Sequence, residues 1–122
     1  MKPVCLVLGA GAGIGGTVAR RFAREGYHAV LCRRSDAAGL ATLVDAIKSD
    51  GGSATGFLLN AIEEGSIEGR VAAIEADIGP IEVVVYNLGA QIGDRALKDT
   101  SAKAFETGWR MGTFGLFRLA SF

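Results

Sequence analysis

Apolar residues along this chain fall into two kinds of run that take turns. Val4-Cys5-Leu6-Val7-Leu8, Ala29-Val30-Leu31-Cys32 and Val83-Val84-Val85 are short and unbroken. Runs of that kind read as strands covered on both faces, as in a parallel sheet. Residues 54–59 form a further strand, weakened by Gly56. Between the strands the spacing changes to three and four. Ile14, Val18, Ala19, Phe22 and Ala23 make one helical stripe. Leu40, Leu43, Val44 and Ile47 make a second, and Ile67, Val71, Ile74 and Ile78 a third.

The punctuation agrees with these periods. The first helix runs from Gly13 to Glu25 and stops at Gly26, a natural C-terminal cap. Ser35 or Asp36 caps a second helix over 37–50, and Gly51-Gly52 ends it. Glu63, Glu64 and Ser66 open the third helix, where negative charge suits the helix dipole, and Gly79-Pro80 breaks it. The strand over 81–86 follows, then a polar loop over 87–99, then a last helix from Ser101 onward. Strands alternating with helices predict an α/β fold with right-handed crossovers. The expected form is a Rossmann-like doubly wound parallel sheet of four strands, ordered 3-2-1-4, with helices on both faces. A ligand then belongs beyond the carboxyl ends of the strands, at Leu8/Gly9, Cys32/Arg33, Leu59/Asn60 and Tyr86/Asn87.

Composition narrows the function. A chain of 122 residues fits one domain, and 49% hydrophobic against 21% charged residues makes it globular. Thirteen basic and thirteen acidic residues cancel, which argues against nucleic-acid and membrane-surface partners. No apolar stretch approaches the ~20 residues that cross a bilayer, and no signal-peptide pattern opens the chain, so a cytoplasmic protein is expected. Cys5 and Cys32 sit at opposite ends of their strands, about 10 Å apart along the rise. That predicts two buried free thiols and no metal site. His28 is expected to be a solvated surface side chain.

The chemistry concentrates at Gly9-Ala10-Gly11-Ala12-Gly13-Ile14-Gly15-Gly16, between the first strand and its helix. Glycines let the backbone bend sharply and let a diphosphate approach, while the helix start offers free N–H groups and a positive dipole end. Two registers fit. Gly11-x-Gly13-x-x-Gly16 is the general dinucleotide pattern. Gly9-x-x-x-Gly13-Ile14-Gly15 is the other, and it is preferred because its first glycine directly follows the strand.

That second pattern resembles the Thr-Gly-x-x-x-Gly-Ile-Gly turn of the short-chain dehydrogenase/reductase family, with Leu8 where the Thr would stand. The resemblance implies a nicotinamide dinucleotide held by Gly9, Gly13, Ile14 and Gly15. Past the second strand stand Arg33 and Arg34, with no acid before Asp36. Guanidinium groups suit a 2′-phosphate, so NADP is expected in preference to NAD. Past the third strand the family has an Asp that meets adenine; Asn60 falls there, followed by Ala61. Past the fourth, Tyr86-Asn87-Leu88-Gly89 resembles the family's Asn-Asn-Ala-Gly, so Asn87 and Gly89 are implied to line the ribose pocket. Residues 109–117 resemble the family's fourth crossover helix, with Gly112 in place of an Asn of the proton relay.

The family's catalytic Ser and Tyr-x-x-x-Lys do not occur here. Four places after Tyr27 and Tyr86 stand Leu31 and Ala90. No catalytic residue is therefore assigned. The resemblance covers nearly all of this chain but only the first half of a family member, as if a single NAD(P)-binding domain over 1–122 were cut inside its fourth helix. Two readings follow. One is the NADP-binding part of an oxidoreductase that moves hydride between NADP and a small alcohol/carbonyl substrate, inactive as this chain alone. The other is a non-catalytic nucleotide-binding or assembly module. A homo-oligomer is expected in either case. Its contact would be the last helix, with Phe105, Trp109, Phe114, Phe117 and Phe122, or the open edge of the fourth strand.

Overall fold

The computed structural model describes residues 1–88 and 96–121. Its first strand, β1 (Val4–Leu8), is buried along its whole length. It pairs in parallel with β2 (His28–Arg33) on one side and β4 (Ile81–Tyr86) on the other. β3 (Ser53–Leu58) pairs in parallel with β2. The order is β3-β2-β1-β4, as the alternation predicted. β1 and β2, each with a neighbour on both sides, are two of the three unbroken apolar runs. The third, in β4, stands at the end of the strand order with Val84 exposed, so it is not covered on both faces as its pattern suggested.

The crossovers are α1 (Ile14–Arg24), α2 (Ala37–Ser49) and α3 (Ser66–Asp77). They place two cores against the two faces of the sheet. Cys5, Val7, Ala29 and Leu31 pack with Ala19, Ala23, Leu40, Val44 and Ile47 of α1 and α2. Leu6, Leu8, Val30 and Cys32 pack with Ile67, Val71 and Ile74 of α3. Alternate residues of one strand thus feed opposite cores, which explains why no polar residue interrupts it. It also separates the thiols, because Cys5 and Cys32 lie in different cores. Both are free and buried, and burial pushes them up to about 11 and about 12.

Past β4, after one short 3₁₀ turn, come α4 (Ala102–Trp109), a π-helical turn over Arg110–Phe114, and α5 (Gly115–Ala120). Together they occupy the place of the single predicted helix. The π-turn was not foreseen. The Gly115 amide donates to the Arg110 carbonyl, five residues back, so the Met111 carbonyl loses its ordinary helical donor. The Tyr86 hydroxyl donates to that carbonyl instead.

Two further expectations need correction. His28 is half-buried and is the first residue of β2, not a solvated side chain. Its Nδ1 lies 2.9 Å from the Ser53 hydroxyl and its Nε2 2.8 Å from the Thr55 hydroxyl, both on β3. Burial, helped by Lys2 and Lys48, lowers its pKa. Ile14 opens α1 but is 71% exposed, so the core stripe of that helix begins one turn later.

Candidate functional site

The carboxyl ends of the four strands meet at one edge of the sheet, and main-chain bonds tie them together. The amides of Gly9 and Ala10 both donate to the Cys32 carbonyl, at 2.9 and 3.0 Å. The Leu59 amide donates to the Arg33 carbonyl at 2.9 Å, and the Asn87 amide to the Leu8 carbonyl at 2.8 Å. The four predicted positions therefore form one continuous rim, described up to Leu88. Gly89, the remaining predicted residue there, lies outside the described residues.

The glycines at the bend have different duties. Gly9 turns the chain with φ +88°, a conformation that side chains rarely adopt, and a Cβ there would strike the Asn87 carbonyl. A Cβ on Gly15 would strike the Gly9 carbonyl and lie 2.9 Å from the Ala10 Cα. Gly16 is likewise closed off by the Gly11 carbonyl, and its amide donates to that oxygen at 2.8 Å. Gly11 and Gly13 differ. No heavy atom lies within 4 Å of a Cβ built on either, leaving out their chain neighbours. No packing contact requires a missing side chain at those two places. Gly13 is also the N-cap of α1, and it brings no side chain to the helix amides. The start of α1 thus has no side-chain cap and, apart from the Gly16 amide that the Gly11 carbonyl takes, leaves its first donors under open space, with Ile14 exposed beside them.

Arg33 and Arg34 follow β2 directly. The Arg33 side chain is 26% exposed and its Nη1 lies 3.8 Å from Asp36 Oδ2. Asp36 caps α2 from a left-handed backbone, φ 64°, with its carboxylate accepting from the Gly39 amide at 3.0 Å. Of the two caps the sequence allowed, Asp36 is therefore the one used. Arg34 is exposed. Past β3, Asn60 is exposed and Ala61 is buried with its methyl in the second core. Asn60 Oδ1 accepts from the Ile62 amide at 3.3 Å, so one lone pair of its acceptor oxygen serves its own turn. Past β4, Asn87 Nδ2 donates to the Gly9 carbonyl at 3.3 Å and ties β4 to the bend.

Two features of this rim escaped the sequence. Gly115 is closed off by the Tyr86 side chain, so the residue that stands at the first Asn of the family's pattern packs on a glycine of the last helix. Arg118, on α5, reaches back to the turn after β3, donating to the Ala61 carbonyl at 2.7 Å. Neither pair has a spacing that a single sequence displays. Among the described residues no cluster of His, Cys, Asp or Glu could hold a metal ion, and no helix is long and apolar enough to cross a membrane.

Comparison with known proteins agrees with this geometry. Residues 3–121 match the family model described as short chain dehydrogenase. Gluconate 5-dehydrogenase of Gluconobacter oxydans is 36% identical over 86 residues, covering 70% of this chain and 33% of that enzyme. The solved citronellol catabolism dehydrogenase of Pseudomonas aeruginosa superposes with a TM-score of 0.86 at 34% identity, covering 98% of this chain and 48% of that one. An actinorhodin polyketide ketoreductase variant, solved with NADPH, gives a TM-score of 0.88 at 31% identity, covering 98% and 45%. The chain thus spans about a third to a half of the length of these relatives.

Proposed function

The chain belongs to the short-chain dehydrogenase family, and from that premise we propose that residues 1–122 form the single cofactor-binding domain of an oxidoreductase. The reaction is hydride transfer between NADP and a small alcohol/carbonyl substrate. The observation that carries this reading is the uncapped start of α1 under the open space at Gly13. A diphosphate fits it, because free amide hydrogens and a positive dipole end face the same space. When bound, the dinucleotide supplies or accepts the hydride. The chain's own residues hold it. Gly9, Gly13, Ile14 and Gly15 form the diphosphate cradle. Arg33 and Arg34 take the 2′-phosphate, which favours NADP over NAD. Asn60 and Ala61 meet the adenine, and Asn87 with Gly89 lines the ribose pocket. The ketoreductase relative solved with NADPH supports the choice of cofactor.

The test is a fluorescence titration of the purified chain with NADPH and with NADH. Tighter binding of NADPH is expected. Equal or tighter binding of NADH overturns the role of the two arginines, and no binding of either overturns the site.

These residues contain no Tyr four places before a Lys, so the chain alone binds cofactor without turnover. Gly112 favours the second reading, a non-catalytic nucleotide-binding or assembly module, because it offers no side-chain amide where the family pattern has Asn. Incubation with NADPH and a panel of carbonyl compounds separates the two, and sustained cofactor oxidation removes the module reading. Self-association in the cytoplasm completes the proposal. Phe105, Trp109, Leu116 and Phe117 on the last helix and Val84 on the β4 edge are all exposed, and either surface suits a second copy.

A further inference from the structure

Arg118 carries a charge into the interior, with its side chain only 10% exposed. Part of its guanidinium forms a forked ion pair with Glu68 of α3. Nε lies 3.2 Å from both carboxylate oxygens, and Nη2 lies 2.6 Å from Oε1. That pairing holds Glu68 below its usual carboxylate range. An ion pair between two helices would be complete there. The other donors point elsewhere. Nη1 donates to the Ala61 carbonyl at 2.7 Å, and Nη2 to the Glu63 carbonyl at 3.1 Å. Both carbonyls belong to the turn after β3.

The other bonds that shape this turn are local. The Asn60 carbonyl accepts from the Ser66 hydroxyl at 2.7 Å and from the Glu63 amide at 3.1 Å. Asn60 Oδ1 accepts from Ile62. These bonds curl the turn but join it only to its own continuation into α3. Arg118 joins it to α5, more than fifty residues away in sequence. A planar fork of five donors can serve one carboxylate and two carbonyls at once, whereas an ammonium group cannot reach all three.

We propose that Arg118 is a positioning residue for the adenosine end of the cofactor. From α5 it fixes the 60–63 turn and with it the placement of Asn60 and Ala61 at the adenine. This rests on the nucleotide-site reading given above. It adds that the adenine end is held by the last helix as well as by the sheet.

The test uses the whole chain, ¹⁵N-labelled, with two probes: adenosine 2′,5′-bisphosphate for one end of the cofactor and nicotinamide mononucleotide for the other. In the unmodified chain, the bisphosphate should shift the Arg118 Nε–H resonance together with the Ala61 and Ile62 amides. Arg118→Lys should weaken the bisphosphate about tenfold and leave the mononucleotide within about twofold. Glu68→Gln, which keeps both carbonyl contacts, should bind both probes as the unmodified chain does. A silent Arg118 resonance beside shifting turn amides overturns the proposal, and so does an Arg118→Lys chain that binds the bisphosphate normally or loses both probes equally. If NADPH moves no resonance at the Gly9–Gly15 bend of the unmodified chain, the site reading itself fails, and the proposal with it.

Discussion

Replacing Gly15 by alanine places a methyl group against main chain that has nowhere to go. The new Cβ would collide with the Gly9 carbonyl oxygen, lie 3.0 Å from its carbon and 2.9 Å from the Ala10 Cα. All three atoms are backbone of the bend, so relief requires moving β1 relative to α1. Overpacking of that kind costs about 1–3 kcal/mol. For a chain of 122 residues, each kcal/mol lowers Tm by about 4 °C, so a fall of about 4–12 °C is expected. Gly13→Ala is the matched control. No heavy atom beyond its chain neighbours lies within 4 Å of its Cβ. Exchanging glycine for alanine at an N-cap costs about 0.5–1 kcal/mol. Its methyl would instead fill the space assigned to the diphosphate, so NADPH binding should weaken at least about tenfold. Thermal unfolding followed by circular dichroism, with an NADPH titration on each variant, separates the effects. Equal loss of Tm in the two variants refutes the division between packing and ligand glycines. So does full NADPH affinity in Gly13→Ala.

Arg33→Ala should weaken NADPH about tenfold, the lower part of the range for a charge-assisted bond of about 1.5–3 kcal/mol, because Asp36 already shares the guanidinium. NADH affinity should stay within about twofold, which a parallel titration reads. His28 is held below its ordinary value of 6.5, so the unfolded chain binds the extra proton first as pH falls. Stability should therefore be full above pH 6.5 and decline as pH drops toward the lowered folded value, seen as a falling urea midpoint, and His28→Gln should flatten that slope. Cys32, pushed up to about 12 by burial, should resist iodoacetamide at pH 8 in the folded chain and react in urea. Rapid labelling of the native protein would contradict its place in the core.

The architecture was readable because covered strands and their helices use different periods. β1 and β2 have neighbours on both sides and helices on both faces, so their apolar runs are unbroken. Gly26, Gly51 and Asp36 mark helix ends for local reasons that a sequence displays. What stayed hidden depends on partners distant along the chain. His28 looks like a surface residue until the register pairs it with Ser53 and brings Thr55 within reach. Ile14 counts as core by spacing, yet the first residue of α1 stands beyond the sheet it would have to cover. At the site, the glycine register and the four strand ends were legible, but the division of labour among the glycines was not. Gly13 and Gly15 look alike in sequence and differ only in what surrounds the missing Cβ.

Tyr86 and Gly112 look in the sequence like two separate departures from the family pattern, each removing an amide side chain. In the structure Tyr86 bonds the helix segment in which Gly112 lies. The π-turn over 110–114 frees the Met111 carbonyl, the Tyr86 hydroxyl takes it, and Gly115 leaves room for the ring. A phenol hydroxyl therefore links β4 to the last helix. The neighbouring Asn87 still bonds the Gly9 carbonyl, so the rearrangement stops one residue short of the bend. Tyr86 and Gly112 both lie off the Gly9–Gly15 bend, on which the proposed diphosphate site rests.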